Sequence, residues 1–292
     1  MTQFVRCIPQ AIGIALAALV GVAPAVVHAA DADLAHILAP SGKLRAALYP
    51  GTPTSILPNP EGHPRGVGYE LGRALAEKLG VPFEPVVYAK NADVQQAIKT
   101  GAADVAFTNA SPARAKEMDF GPVYLRTELG YLAAEGSRLP DAGAVDAQGI
   151  KVGVTTGSSS EAALSHDLKN ATLVRIPTIK EAVDQLATHR IDAFATNKAT
   201  LFEMAEKIAG ARVLDGRWGE ERHAVAIPKG REGGADFIRS FTEEMGNRVW
   251  CTMPPSAPAS RASSSPKDGT AVPQSQISDA PQEPRQVRGS SA

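Results

Sequence analysis

Ala103-Asp104-Val105-Ala106-Phe107-Thr108-Asn109-Ala110-Ser111-Pro112-Ala113-Arg114 carries a strand-like apolar run, residues 103–107, through small polar residues into the start of a helix. Pro112 suits the first helical turn, where its missing N–H is not needed, and Ser111 before it is a natural N-cap. Arg114 then falls in the first turn, near the mouth of whatever cleft the carboxyl end of the strand faces. A planar guanidinium there suits a small anion such as a carboxylate, to which it donates two parallel hydrogen bonds. An isolated arginine in a loop is a solvated surface residue, so the rest of the chain has to decide the matter.

On the amino-terminal side, residues 43–48 read as a strand that stops at Tyr49-Pro50-Gly51-Thr52-Pro53, a loop dense in turn residues. Gly68-Tyr69-Glu70-Leu71 opens a helix with Leu71, Leu75 and Leu79 on one face, ended by Gly80. A strand at 82–88, a helix at 93–99 and the run at 103–107 complete a first βαβ set. The rhythm restarts downstream. Strands at 149–154, 173–176 and 191–196 alternate with helices at about 158–168, 180–188 and 198–209. Such alternation predicts parallel sheets, and two sets separated by residues 127–148 predict two similar lobes. Residues 221–227 are strand-like, and a last helix spans about 235–249.

The 292 residues, 43% hydrophobic and 21% charged, describe an ordinary globular chain. A net charge of −1 gives no basic footprint for nucleic acid, and 5% aromatics argue against base-stacking platforms. Arg6, an apolar stretch over 8–27 and the small-residue exit Val27-His28-Ala29-Ala30 read as a signal peptide, residues 1–30. Cys7 precedes the apolar region, so only Cys251 survives cleavage. The mature chain then has no internal disulfide, which is compatible with a bacterial periplasm. From 251 to 292 the composition turns to Pro, Ser, Ala and Gln, and this tail is expected to be disordered.

The six histidines are scattered without metal-ligand spacing, and no cofactor fingerprint, nucleophile elbow or acid–base pair stands out. Neither a metal nor a cofactor is expected. Thr156-Gly157-Ser158-Ser159-Ser160-Glu161, between a strand and a helix, is suited to anion capture. Gly157 permits close backbone approach, and the serines and the helix N-terminus supply donors. A capping box from Ser158 to Glu161 explains the same residues and is compatible with binding.

In this order, Gly68-Tyr69-Glu70-Leu71, Ser111-Pro112-Ala113-Arg114 with Asp119-Phe120-Gly121-Pro122-Val123-Tyr124, Val152-Gly153-Val154 with Gly157-Ser158-Ser159, and Arg190-Ile191-Asp192-Ala193 resemble the periplasmic solute-binding proteins of amino-acid ABC transporters. The resemblance covers about 43–249. It implies a type II periplasmic-binding-protein fold, the Venus flytrap, with two α/β lobes joined by crossover strands near 125–132 and 218–227. Lobe 1 would comprise 43–126 plus 220–250, and lobe 2 residues 127–219. Arg114 matches the arginine that holds the ligand's α-carboxylate, and Ser159 and Ser160 match donors to the same group. Asn109 and the backbone at Phe107 match further contacts in lobe 1. Tyr49 and Thr52 fall in the first side-chain-pocket loop, where they are equally well ordinary turn residues.

One position departs from the family. Where amino-acid binders place an aspartate for the ligand's ammonium, this chain has Asn197, which lacks the charge and also suits an N-cap. Either another acceptor holds the ammonium, with Glu70 or Tyr49 as candidates, or the ligand is not an ordinary amino acid. Glu70 is otherwise a first-turn residue favoured by the helix dipole. The expected function is capture of a small carboxylate-bearing solute, an amino acid or analogue, by a monomeric receptor for an inner-membrane ABC permease. The rivals are an enzyme on the same scaffold, similar to cyclohexadienyl dehydratases, and a sensory protein that presents its ligand to a membrane receptor.

Overall fold

Leu71, Leu75 and Leu79 form one stripe of helix α2 (Val67–Leu79), and all three are buried. They pack over β1 (Leu44–Leu48), the middle strand of a parallel trio with β2 (Phe83–Val87) and β3 (Val105–Asn109). Each leucine taken out of water contributes about 1.5–3 kcal/mol. Gly80 ends α2 in the left-handed region, at φ 67°, and its N–H bonds the last carbonyls of the helix. Alternate residues of β1 and β3 serve opposite faces. Leu44, Ala46, Leu48, Val105 and Phe107 join the core under α2, whereas Ala47 and Ala106 meet Val94, Ala97 and Ile98 of α3 (Asn91–Thr100).

The structure, a computed structural model, describes residues 29–59 and 62–252. The expected leader at 1–30 and the tail at 251–292 lie outside that range, apart from Ala29 and Ala30 in α1 (Ala29–Leu38) and Cys251 and Thr252 in α8 (Ala235–Thr252). Among the described residues no helix is long and apolar enough to cross a membrane.

After α4 (Pro112–Ala115), β4 (Met118–Ala133) runs antiparallel to β9 (Gly219–Pro228), with register shifts near Pro122. These two strands cross from the first trio to a second, made of β5 (Lys151–Thr155), β6 (Thr172–Ile176) and β7 (Ala193–Asn197). The nine strands form one sheet in the order β2-β1-β3-β9-β4-β7-β5-β6, with β8 (Arg212–Val213) also paired to β4. Helices α5 (Ser159–Asp167), α6 (Ile179–Ala187) and α7 (Lys198–Ala205) belong to the second trio. Helix α8 returns to the first, adding Ile238, Phe241 and Met245 to its core.

The two α/β lobes and both crossing strands are therefore as the sequence predicts, with differences at the edges. The first crossing strand, β4, is longer than expected, the second, β9, is shifted by one residue, β3 runs on to Asn109, and α7 stops at Ala205. A further apolar cluster spans both trios, bringing Tyr49 and Val94 together with Ile179, Phe194 and Leu201. The lobes are thus closed on each other.

Candidate functional site

The cleft lies where the carboxyl ends of β1 and β3 face those of β5 and β7, the position at which open α/β sheets bind ligands. Helix α4 presents the arginine to it. The Ser111 hydroxyl oxygen caps α4 by accepting the backbone N–H of Arg114 at 3.4 Å, as its sequence predicts. The guanidinium is buried. Its Nη1 donates to Thr108 Oγ1 at 2.7 Å and to the Asn109 carbonyl at 3.3 Å, and its Nη2 to the Gly157 carbonyl at 3.4 Å. Among the described residues no carboxylate lies within ion-pair distance of it. Burial pulls its pKa below the usual arginine value, and the field of Glu221 opposes this.

The facing turn is shaped by Gly157, at φ 76°, where a Cβ would come within 2.8 Å of the Ala92 Cβ. Its carbonyl also accepts from Gln95 Nε2 at 2.6 Å, so two side chains of the first lobe converge on one peptide of the second. The capping box differs slightly from expectation. The Ser158 hydroxyl oxygen accepts the Glu161 N–H at 3.0 Å, but the Glu161 carboxylate accepts from Gly157 N–H at 2.6 Å, one residue before the cap.

A string of hydroxyls closes another wall. Asn197 Oδ1 caps α7 by accepting both the N–H and the O–H of Thr200, at 3.0 and 2.9 Å. The Thr200 proton being spent, Thr52 must donate across the cleft to Thr200 Oγ1 at 2.7 Å, and Thr54 to Thr52 at 2.9 Å. Deeper in, Glu221 and His223 face the cleft from β9, their Oε2 and Nε2 3.2 Å apart. The Ser159 hydroxyl donates to Glu221 Oε1, and Asn197 Nδ2 lies 3.4 Å from Oε2. Burial would raise the Glu221 pKa. The hydrogen bonds from His223 and Ser159 and the field of Arg114 outweigh it and hold the carboxyl below its usual range.

Residues 44–248 match the profile of the bacterial extracellular solute-binding proteins, family 3. The chain belongs to that family. It is 26% identical over 141 residues to the ABC transporter glutamine-binding protein of Bacillus subtilis (strain 168), an alignment covering 48% of this chain and 51% of the relative. The solute-binding protein thus spans about half the length of that relative. Among solved structures it resembles a solute receptor for L-cysteine of Neisseria gonorrhoeae, with TM-score 0.70 and 20% identity over 79% of this chain and 99% of the other. It also resembles an ancestral amino-acid-binding protein described as a precursor of cyclohexadienyl dehydratase, with TM-score 0.64 and 22% identity over 76% and 99% of the two chains. These likenesses carry the type II, two-lobed fold.

Of the residues read from the sequence of this solute-binding protein, Arg114, Asn109, Phe107, Ser159, Asn197, Tyr49 and Thr52 all line the cleft. Several are engaged with protein. Asn109 Oδ1 accepts the Arg222 N–H at 2.8 Å, and the Tyr49 hydroxyl accepts the Ile179 N–H at 3.2 Å. Two do not reach it. Glu70 lies off the cleft, paired with Arg73 at 2.8 Å one helical turn away. Ser160 is buried behind the turn with its hydroxyl unpartnered, and Ser158 lines the cleft in its place.

The absence of an acid–base pair, expected from the sequence, is corrected by Glu221 and His223. Their signal is period 2 on a strand. Counting back from the buried Ile227 and Val225 in steps of two puts both on the buried face, with Glu220 and Arg222 outside. Among the described residues no group of three or more His, Cys, Asp or Glu is placed to hold a metal ion.

Proposed function

We propose that this protein is the substrate-binding component of an ABC importer, capturing a small carboxylate-bearing solute, an amino acid or analogue, between its lobes in the periplasm and handing it to an inner-membrane permease. The carrying observation is the buried guanidinium of Arg114, whose protein partners are all neutral acceptors. An unpaired buried charge is costly, and a ligand carboxylate would remove that cost. Helix α5, opening at Ser158 and Ser159 on the far side, adds the positive end of its dipole. With lobes at 43–126 plus 220–250 and at 127–219, the same carboxylate would bridge them and favour the closed form of a two-state hinge.

The closed cleft holds a cavity of about 70 Å³, whereas a cavity of roughly 150 Å³ admits a benzene ring. This favours a compact solute, and we read the receptor as a monomer.

The test is calorimetry over the L-amino acids and their deaminated analogues. Arg114→Ala is expected to weaken the best binder by about 2–5 kcal/mol, as when a buried charge pair loses one member, while the thermal transition of the free protein persists. Unchanged affinity rules out the carboxylate clamp. Among the described residues it is the Glu221–His223 pair that favours an enzyme on this scaffold. Incubation with prephenate or arogenate is expected to return both unchanged, and a product would reverse the ranking.

A further inference from the structure

We propose that Glu221 receives the amino group of the ligand, a role that Asn197 beside it cannot fill. The inference rests on the clamp reading of Arg114. Asn197 has lost more than a charge, because its carbonyl oxygen is consumed by the N–H and O–H of Thr200. What it turns toward the cleft is its amide nitrogen, a donor, which would meet an ammonium donor to donor. That nitrogen points at Glu221 instead.

The other acceptors suggested by the sequence are unsuitable. Glu70 lies off the cleft and is paired with Arg73, and the Tyr49 hydroxyl oxygen already accepts from Ile179. Glu221 is the one carboxylate among the described residues lining the cleft. It sits on a crossing strand, between Ser159 at the head of α5 and Asn197 at the head of α7.

Three donors (Ser159, Asn197 and His223) engage a group with about four acceptor positions, so its orientation is fixed and one position is left for a further N–H. With Arg114, the cleft presents one fixed charge of each sign. That pattern matches the zwitterion of an α-amino acid. A deaminated acid would satisfy Arg114 and leave Glu221 without a cationic partner.

The experiment is calorimetry of the full chain with the twenty proteinogenic L-amino acids, then with the α-hydroxy acid corresponding to the best binder. The wild type is expected to prefer the amino acid by about 100-fold. Glu221→Gln is expected to weaken the amino acid by about 10- to 100-fold, the range for a lost hydrogen bond to a charged group, and the hydroxy acid by less than about 3-fold. Moving the charge back, in Glu221→Gln with Asn197→Asp, is expected to restore most of the preference.

An unchanged preference in Glu221→Gln overturns the inference, as does a wild type that binds both acids equally. In either case the clamp stands, provided that Arg114→Ala weakens both acids alike. Should no amino or hydroxy acid bind the wild type, clamp and inference fall together. A crystal structure of the wild-type complex tests the same point without any variant. The amine is expected within hydrogen-bond distance of Glu221, and an amine bonded only elsewhere overturns the proposal.

Discussion

Asp104 and Arg114, ten residues apart in the stretch that opens the fold, are both buried charges, and they are satisfied in opposite ways. Asp104 is met by the protein itself. It accepts from Arg45 N–H and Nε at 2.9 Å, from Arg45 Nη2 at 2.8 Å and from Arg231 Nη1 at 2.9 Å. Burial would raise its pKa, but the two arginines hold it below the usual range. A pKa lower in the folded than in the unfolded state gives stability that is present at neutral pH and lost as pH falls through the folded value. Asp104→Ala, which strands two guanidinium groups, is expected to cost about 3–5 kcal/mol in urea unfolding at pH 7, nearer the lower figure because Arg45 is partly exposed. Asp104→Asn is expected to flatten the loss of stability of the wild type between about pH 5 and pH 2. Arg114 is legible as a site residue because its cap, its proline and its place after a strand are local. The role of Asp104 is not, since its partners lie 59 and 127 residues away.

At the scale of the element, helix starts are the most legible features. Ser111, Ser158 and Asn197 each accept the backbone N–H three residues on, a bond that needs nothing beyond the local chain. The turn at Gly157 is legible as a site of close approach, but its partner is not. Gly157→Ala would place a Cβ 2.8 Å from that of Ala92 on the opposing lobe and impose a left-handed conformation on a residue that resists it. The expected cost is about 1–3 kcal/mol, read in urea unfolding, with weaker ligand binding in calorimetry because the Gly157 carbonyl also receives Arg114 and Gln95. Strand β9 is recognisable as a strand, yet Glu221 and His223 do not stand out in it as site residues. Alternation puts them on the buried face, but only the pairing of β9 between β3 and β4 turns that face toward a cleft.

For the whole molecule, closure is held by contacts between the lobes that bear no ligand. Arg65 donates to both carboxylate oxygens of Glu203, at 3.0 and 3.1 Å, and Thr52 donates to Thr200. Arg65 is half exposed, so the ion pair is expected to contribute no more than about 1 kcal/mol to closure. Glu203→Ala should therefore lower ligand affinity by less than about 5-fold and raise the radius of gyration of the free protein in solution scattering. An affinity loss as large as that of Arg114→Ala would mean that closure depends on this pair and not on the ligand.

The alternation of strands and helices, the helix starts, the family and the arginine at the head of α4 are all legible along the chain. Those features rest on bonds and periodicities within a few residues. What the arginine faces, the places of Glu70 and Ser160 outside the cleft, and the carboxylate of β9 beside Asn197 emerge from the folded chain alone. Such facts depend on which distant strands pair and how two lobes meet, and no local spacing encodes that.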